Sequence, residues 1–141
     1  LETVPPLQLL DSDGRTSTLP APKGRPVILA VVSPFCVWCD RNMDNVKALR
    51  GATARDYDFV GIVQDADPET LRAWNARNSP PFDTYALAAT GRAWLMAATP
   101  ATLVLDRKGR FRTGWTGAFM GRTKERVEAY FGARLPGVTN K

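Results

Sequence analysis

The two cysteines of this 141-residue chain, Cys36 and Cys39, stand three apart in Phe35-Cys36-Val37-Trp38-Cys39, at a point where the hydrophobic pattern changes period. Upstream, Val27-Ile28-Leu29-Ala30-Val31-Val32 is a continuous apolar, β-branched run of the kind buried on both faces of a parallel or mixed sheet. Ser33-Pro34-Phe35 ends it. Downstream, Met43, Val46 and Leu49 recur at helical spacing among polar residues. The pair is therefore expected where a strand over 27–33 turns into a helix over 37–54, with Cys36 at the helix N-terminus. Free backbone N–H groups and the helix dipole favour a thiolate there.

A structural staple is a poor use of this spacing. In the chain-entropy model a disulfide across about four residues removes only about 2 kcal/mol from the unfolded state, against nearly 5 for a loop of about 100 residues. A zinc site fares no better, because the chain has no histidine and no further cysteine, leaving Asp or Glu to supply half of a four-coordinate set. The missing histidine also removes Ser-His-Asp and Cys-His nucleophile pairs, HExxH metalloproteases and copper sites that need an imidazole. Thiol exchange is what survives.

With 44% hydrophobic residues the chain can bury a substantial core, and no apolar run approaches the roughly 18 residues of a membrane span. We expect one soluble domain over 1–141, with hairpin and linker at 1–26 and a tail at 132–141. Leu1 is not read as a native start: the expectation is either a removed signal or anchor segment or a trimmed sequence. The net charge of +5 is uneven: residues 1–106 hold 10 Lys/Arg against 12 Asp/Glu, and residues 107–141 hold 9 against 2. Arg107, Lys108, Arg110 and Arg112 flank a hairpin, and Arg122, Lys124 and Arg126 open the last helix, Lys124 being spaced to pair with Glu128. Aromatic residues are not interleaved as a nucleic-acid platform requires, so a solvated face is expected. An acidic partner or anionic membrane surface is the alternative.

Strand and helix alternate along the rest of the chain without repeats. Leu7–Leu10 and Thr16–Leu19 flank the turn cluster Asp11-Ser12-Asp13-Gly14, predicting a small N-terminal hairpin. Residues 57–63 read as a second core strand. Asp67 caps a helix with Pro68 at its first position, and that helix should stop near Asn78 before Pro80 and Pro81. Phe82–Leu87 reads as a short extended piece, and Gly91–Ala98 as a compact apolar segment around Trp94, Leu95 and Met96. Thr102–Asp106 and Phe111–Trp115 form a hairpin, and a last helix presents Val127, Tyr130 and Phe131 on one face and ends at Gly132. The layers should be a central sheet with helices on both sides.

These residues resemble the thioredoxin fold, most closely its TlpA/ResA-like (DsbE-like) branch. The supporting pieces are the leading hairpin, Phe35-Cys36-Val37-Trp38-Cys39, the helix Asp67–Trp74 inserted after the second core strand, and Thr99-Pro100-Ala101-Thr102 opening an apolar strand, together spanning most of 5–131. The resemblance implies a three-layer α/β/α domain with a mixed sheet, Pro100 as a cis-proline facing the cysteines, and Thr99 offering its backbone to a substrate peptide. It further implies an extracytoplasmic protein thiol-disulfide oxidoreductase without cofactor. Cys36 would attack and Cys39 would resolve the mixed disulfide. Trp38 is read from its place beside Cys36 as exposed and in reach of substrate, with a simple packed aromatic as the alternative. Implied partners are client proteins with disulfides or dithiols, apocytochrome c among them, and an upstream redox donor, in the membrane or free of it; the domain itself would be a monomer, periplasmic or otherwise extracytoplasmic, with a membrane anchor outside this sequence as the alternative.

Three departures from the pattern stand out. Ala30 occupies the place of a buried Asp in thioredoxin, Asn42 stands where TlpA/ResA-like proteins often carry Glu, and the dipeptide Val37-Trp38 lacks both Pro and the His of strong oxidants. The missing His favours a reductant over an oxidant or isomerase. Other classes remain open on the residues alone. A peroxiredoxin-type peroxidase needs a Thr/Ser and Arg around its cysteine, which Ser33 and Pro34 do not supply. A Cu(I) carrier would use both thiolates with Met43 or Met96, and a redox-inert interaction domain would hold a disulfide indifferent to glutathione.

Overall fold

The computed structural model describes residues 7–19, 23–88 and 98–140. Strand β3 (Val27–Val32) is buried at all six positions and lies at the middle of the architecture, parallel to β4 (Asp58–Gln64) on one side and antiparallel to β6 (Ala101–Leu105) on the other. Strand β5 (Asp83–Leu87) extends the sheet parallel to β4, and β7 (Phe111–Thr116) closes the far edge against β6. The hairpin β1 (Leu9–Leu10) and β2 (Thr16–Ser17) adds to β5 through Leu10 and Ala86, giving the order β2-β1-β5-β4-β3-β6-β7.

Alternate residues of β3 supply two cores, since neighbouring side chains on a strand point to opposite faces. Val27, Leu29 and Val31 pack with Leu7, Leu9, Val60, Ile62 and Leu103. Ile28 and Ala30 pack with Val46 and Leu49 of α2 (Met43–Thr53), Val127 of α4 (Gly121–Phe131) and Phe119. Further along that second face, Val32, Val63 and Ala86 meet Cys39 of α1 (Val37–Arg41), Met43, and Leu71 and Trp74 of α3 (Pro68–Asn78). All four described helices thus flank one face. Leu49 and Leu71 are fully buried, worth about 1.5–3 kcal/mol each. Of the segment Gly91–Ala98 expected as a compact apolar piece, only Ala98 lies within the described residues.

Local signals fall where the sequence puts them. The Asp67 carboxylate accepts the Thr70 N–H (2.8 Å) at the start of α3, and that bond holds it below the ordinary carboxylate range. Helix α4 ends at Gly132, whose φ of 64° suits a residue without Cβ. In the β6–β7 loop, Asp106 accepts the N–H groups of Lys108 and Arg110 (both 2.9 Å) and pairs with the Arg110 guanidinium at 2.8 Å, while Lys124 pairs with Glu128 at 3.3 Å. Part of the basic C-terminal quarter is therefore neutralised within the fold.

The N-terminal hairpin strands are shorter than expected, Leu9–Leu10 and Thr16–Ser17, and the first helix differs in kind. The helix read as continuous over 37–54 is two helices joined at Asn42, whose N–H is shared between the carbonyls of Trp38 (3.1 Å) and Cys39 (3.2 Å). The cause is tertiary. The Asn42 side chain accepts from the Phe119 N–H, and the neighbouring Arg41 carbonyl accepts from the Thr139 N–H, partners 77 and 98 residues away that helical periodicity cannot reveal.

Candidate active site

Cys36 and Cys39 are joined in a disulfide at the C-terminal end of β3. Cys36 is the N-cap of α1, and its sulfur accepts the Cys39 N–H at 3.1 Å, doing what a Ser or Asp oxygen usually does at this position. The two sulfur-bearing residues differ in access: Cys36 is half-buried, whereas Cys39 is 1% exposed within the cluster of Val32, Met43, Leu71 and Trp74.

The residues expected from the far end of the sequence come to the same place. The Thr99 carbonyl oxygen lies 3.6 Å from the Cys36 sulfur, and the Thr99–Pro100 peptide is cis. Two further bonds hold this loop: the hydroxyls of Ser33 and Thr99 are 3.0 Å apart, and the Gly117 N–H donates to the Pro100 carbonyl at 2.7 Å. Trp38 is 43% exposed, with the Arg41 guanidinium 4.1 Å from the ring centroid, and Phe35 (93%) and Val37 (62%) are more exposed still. Ala30, at the place of thioredoxin's buried Asp, is buried among apolar residues. Met43 shares the Cys39 cluster, and Met96 lies outside the described residues.

Three residues around the site have roles that no sequence motif marks. Arg77, in the last turn of α3, donates to the Pro34 carbonyl (3.0 Å) and faces the Asp40 carboxylate (3.6 Å), gripping the chain on both sides of Cys36. Asn42, 1% exposed, accepts from the Phe119 N–H (2.8 Å) and from the Asn45 amide (3.0 Å). Asn45 in turn donates to the Phe119 carbonyl (3.0 Å) and accepts the Gly137 N–H (2.7 Å). Two asparagines on the buried side of an amphipathic stretch were the available signal, because a buried amide needs partners. Their partners, 74 to 92 residues away, were not readable.

Strand, cysteine pair at a helix start and a Thr-Pro loop against the outer sulfur define a thiol-disulfide oxidoreductase of thioredoxin-like fold, a central mixed sheet flanked by helices. The family model of Redoxin matches residues 2–129, and the chain belongs to the Redoxin family. Solved structures share the fold. A secreted Mycobacterium tuberculosis disulfide oxidoreductase, homologous to E. coli DsbE, superposes with a TM-score of 0.67 at 20% identity, over 86% of this chain and 94% of that one. A thiol:disulfide interchange protein from Bacteroides sp. gives 0.73 at 15% identity, over 94% and 90%. StoA from Bacillus subtilis gives 0.65 at 15% identity, over 88% and 95%. A comparison with the curated proteins finds no match. Among the described residues no helix is long and apolar enough to cross a membrane, and no three Cys, Asp or Glu are grouped to hold a metal ion.

Proposed function

We infer that this domain is an extracytoplasmic reductant of client protein disulfides, with Cys36 as the attacking and Cys39 as the resolving thiol. The observation that carries the reading is the asymmetry of the pair: the Cys36 sulfur caps a helix beside the Thr99 carbonyl, and Cys39 is sealed in the core. In the reduced protein the Cys36 thiolate attacks one sulfur of a client disulfide, and the other client sulfur leaves as a thiolate that takes a proton from solvent. Cys39, deprotonated, then attacks the Cys36 sulfur, releasing the second client thiol and leaving the Cys36–Cys39 disulfide. Two electrons pass to the client. An upstream dithiol donor restores the reduced form. The backbone of Thr99, ahead of Pro100, serves as the pairing edge for an extended client segment, and Trp38 as its apolar contact.

The direction of transfer is supported by the Val37-Trp38 dipeptide, which has no histidine to stabilise a thiolate. An extracytoplasmic setting is supported by the family resemblance, and apocytochrome c disulfides are one client class it suggests. We take the domain to act as a monomer. Equilibration against glutathione and dithiothreitol, read by thiol alkylation mass, tests this: a potential near roughly −270 mV is expected, and one near roughly −120 mV would make the domain an oxidant. A disulfide indifferent to both buffers would refute redox function.

A further inference from the structure

The segment after α4 has no regular structure, yet it is bound closely to the redox helix. Leu135 is buried beside Val46, Leu49 and Phe119, its N–H donates to Glu128 (2.8 Å), and the Gly137 N–H donates to Asn45 (2.7 Å). At its end the contact becomes reciprocal. The Thr139 N–H donates to the Arg41 carbonyl (2.9 Å), Arg41 Nε donates to the Thr139 carbonyl (2.6 Å), and Arg41 Nη2 reaches the Asn140 side-chain oxygen at 3.4 Å. The same guanidinium lies over the Trp38 ring at 4.1 Å. A guanidinium is planar and holds hydrogen bonds in its plane while stacking on an aromatic face, which a flexible lysine ammonium cannot do together.

The geometry points to Arg41 as a positioning residue for client capture: the C-terminal strap 135–140 clamps Arg41, and Arg41 holds the Trp38 indole in one orientation beside Cys36. The inference rests on the reading of Trp38 as a client contact. An indole already held costs less ordering when a client binds, and this appears as affinity. Asp40, next to Arg41 in the chain, is turned to Arg77 from α3.

The test compares Arg41→Ala, Arg41→Lys and a chain ending at Gly137, which keeps the Leu135 and Gly137 anchors. Each is assayed for reduction of insulin, whose disulfides lie in a folded protein, with dithiothreitol as electron source, and, pre-reduced and freed of dithiothreitol, for single-turnover reduction of 5,5′-dithiobis(2-nitrobenzoic acid), a small disulfide whose second-order rate constant stands for kcat/KM. Arg41→Ala and the truncation should raise KM for insulin about two- to fivefold, the scale of an exposed cation–π contact, and lower the insulin-to-small-disulfide ratio of kcat/KM by the same factor. Arg41→Lys should fall between. Fluorescence anisotropy of Trp38, taken as the difference from each protein's Trp38→Phe counterpart, should drop in both impaired variants. Unchanged insulin KM, or equal losses on both disulfides, would overturn the proposal. Should the wild type reduce neither disulfide, the client-contact reading fails, and the anisotropy still decides whether Arg41 holds the ring.

Discussion

Replacing Asn42 with alanine probes the joint between the redox helix and the loop that reaches the Pro100 segment. The Asn42 side-chain oxygen serves two donors, the Phe119 N–H at 2.8 Å and the Asn45 amide at 3.0 Å, in a site 1% exposed. Without it the Phe119 N–H is buried with no acceptor, a cost of about 1–3 kcal/mol. Asn45 keeps the Phe119 carbonyl and loses one neutral bond, about 0.5–1.5 kcal/mol. Against this, the Asn42 amide nitrogen has no partner among the described residues, so deleting it returns some desolvation. The net expectation is a loss of about 2–3 kcal/mol, which for a chain of this size lowers Tm by about 5–10 °C. Urea unfolding of the oxidised protein reads it as a lower midpoint at unchanged slope. A double-mutant cycle with Asn45→Ala should show coupling above about 0.5 kcal/mol. A single-mutant loss below about 1 kcal/mol, or strict additivity, would refute the idea of one cooperative amide network.

Further predictions concern the thiols, the sheet and pH. Cys36→Ser should abolish turnover, while Cys39→Ser should accumulate client mixed disulfides visible on non-reducing gels; equal trapping by both would reverse the assignment. Gly61→Ala should destabilise by about 1–3 kcal/mol, because a Cβ there would meet Phe82 Cε1 at 2.6 Å and Thr84 Cγ2 at 3.0 Å within a packed sheet, and an unchanged urea midpoint would contradict it. Glu128 is held below its ordinary value of 4.5, first by the Leu135 N–H and then by Lys124, so its ionised form is favoured in the folded state. That contribution is complete above the unfolded value and fades as pH falls through the lower folded value; Glu128→Gln should therefore unfold less steeply below about pH 4.5. Identical acid profiles for the two proteins would remove the claim.

Much of the architecture could be read from short stretches. A six-residue apolar run makes β3, Asp67 with Pro68 starts α3, Gly132 ends α4, and Cys36 at the strand-to-helix turn places the chemistry. Each depends on a few neighbouring residues whose side-chain period, capping oxygen or permitted φ is a local property, and the absence of histidine narrows the chemistry by composition alone. The remainder was decided by contacts between distant parts of the chain. That the Thr99 carbonyl rests against Cys36, 63 residues away, was accessible only through resemblance. The break at Asn42, the Arg77 grip on Pro34 and the Arg41–Thr139 clamp were not accessible at all. Arginine and asparagine at exposed or amphipathic positions carry no local signature of their partners, because a hydrogen bond is set by distance and direction in the folded state. Only the packing of α3, the Phe119 loop and the C-terminal strap against the redox helix brings those donors and acceptors within reach.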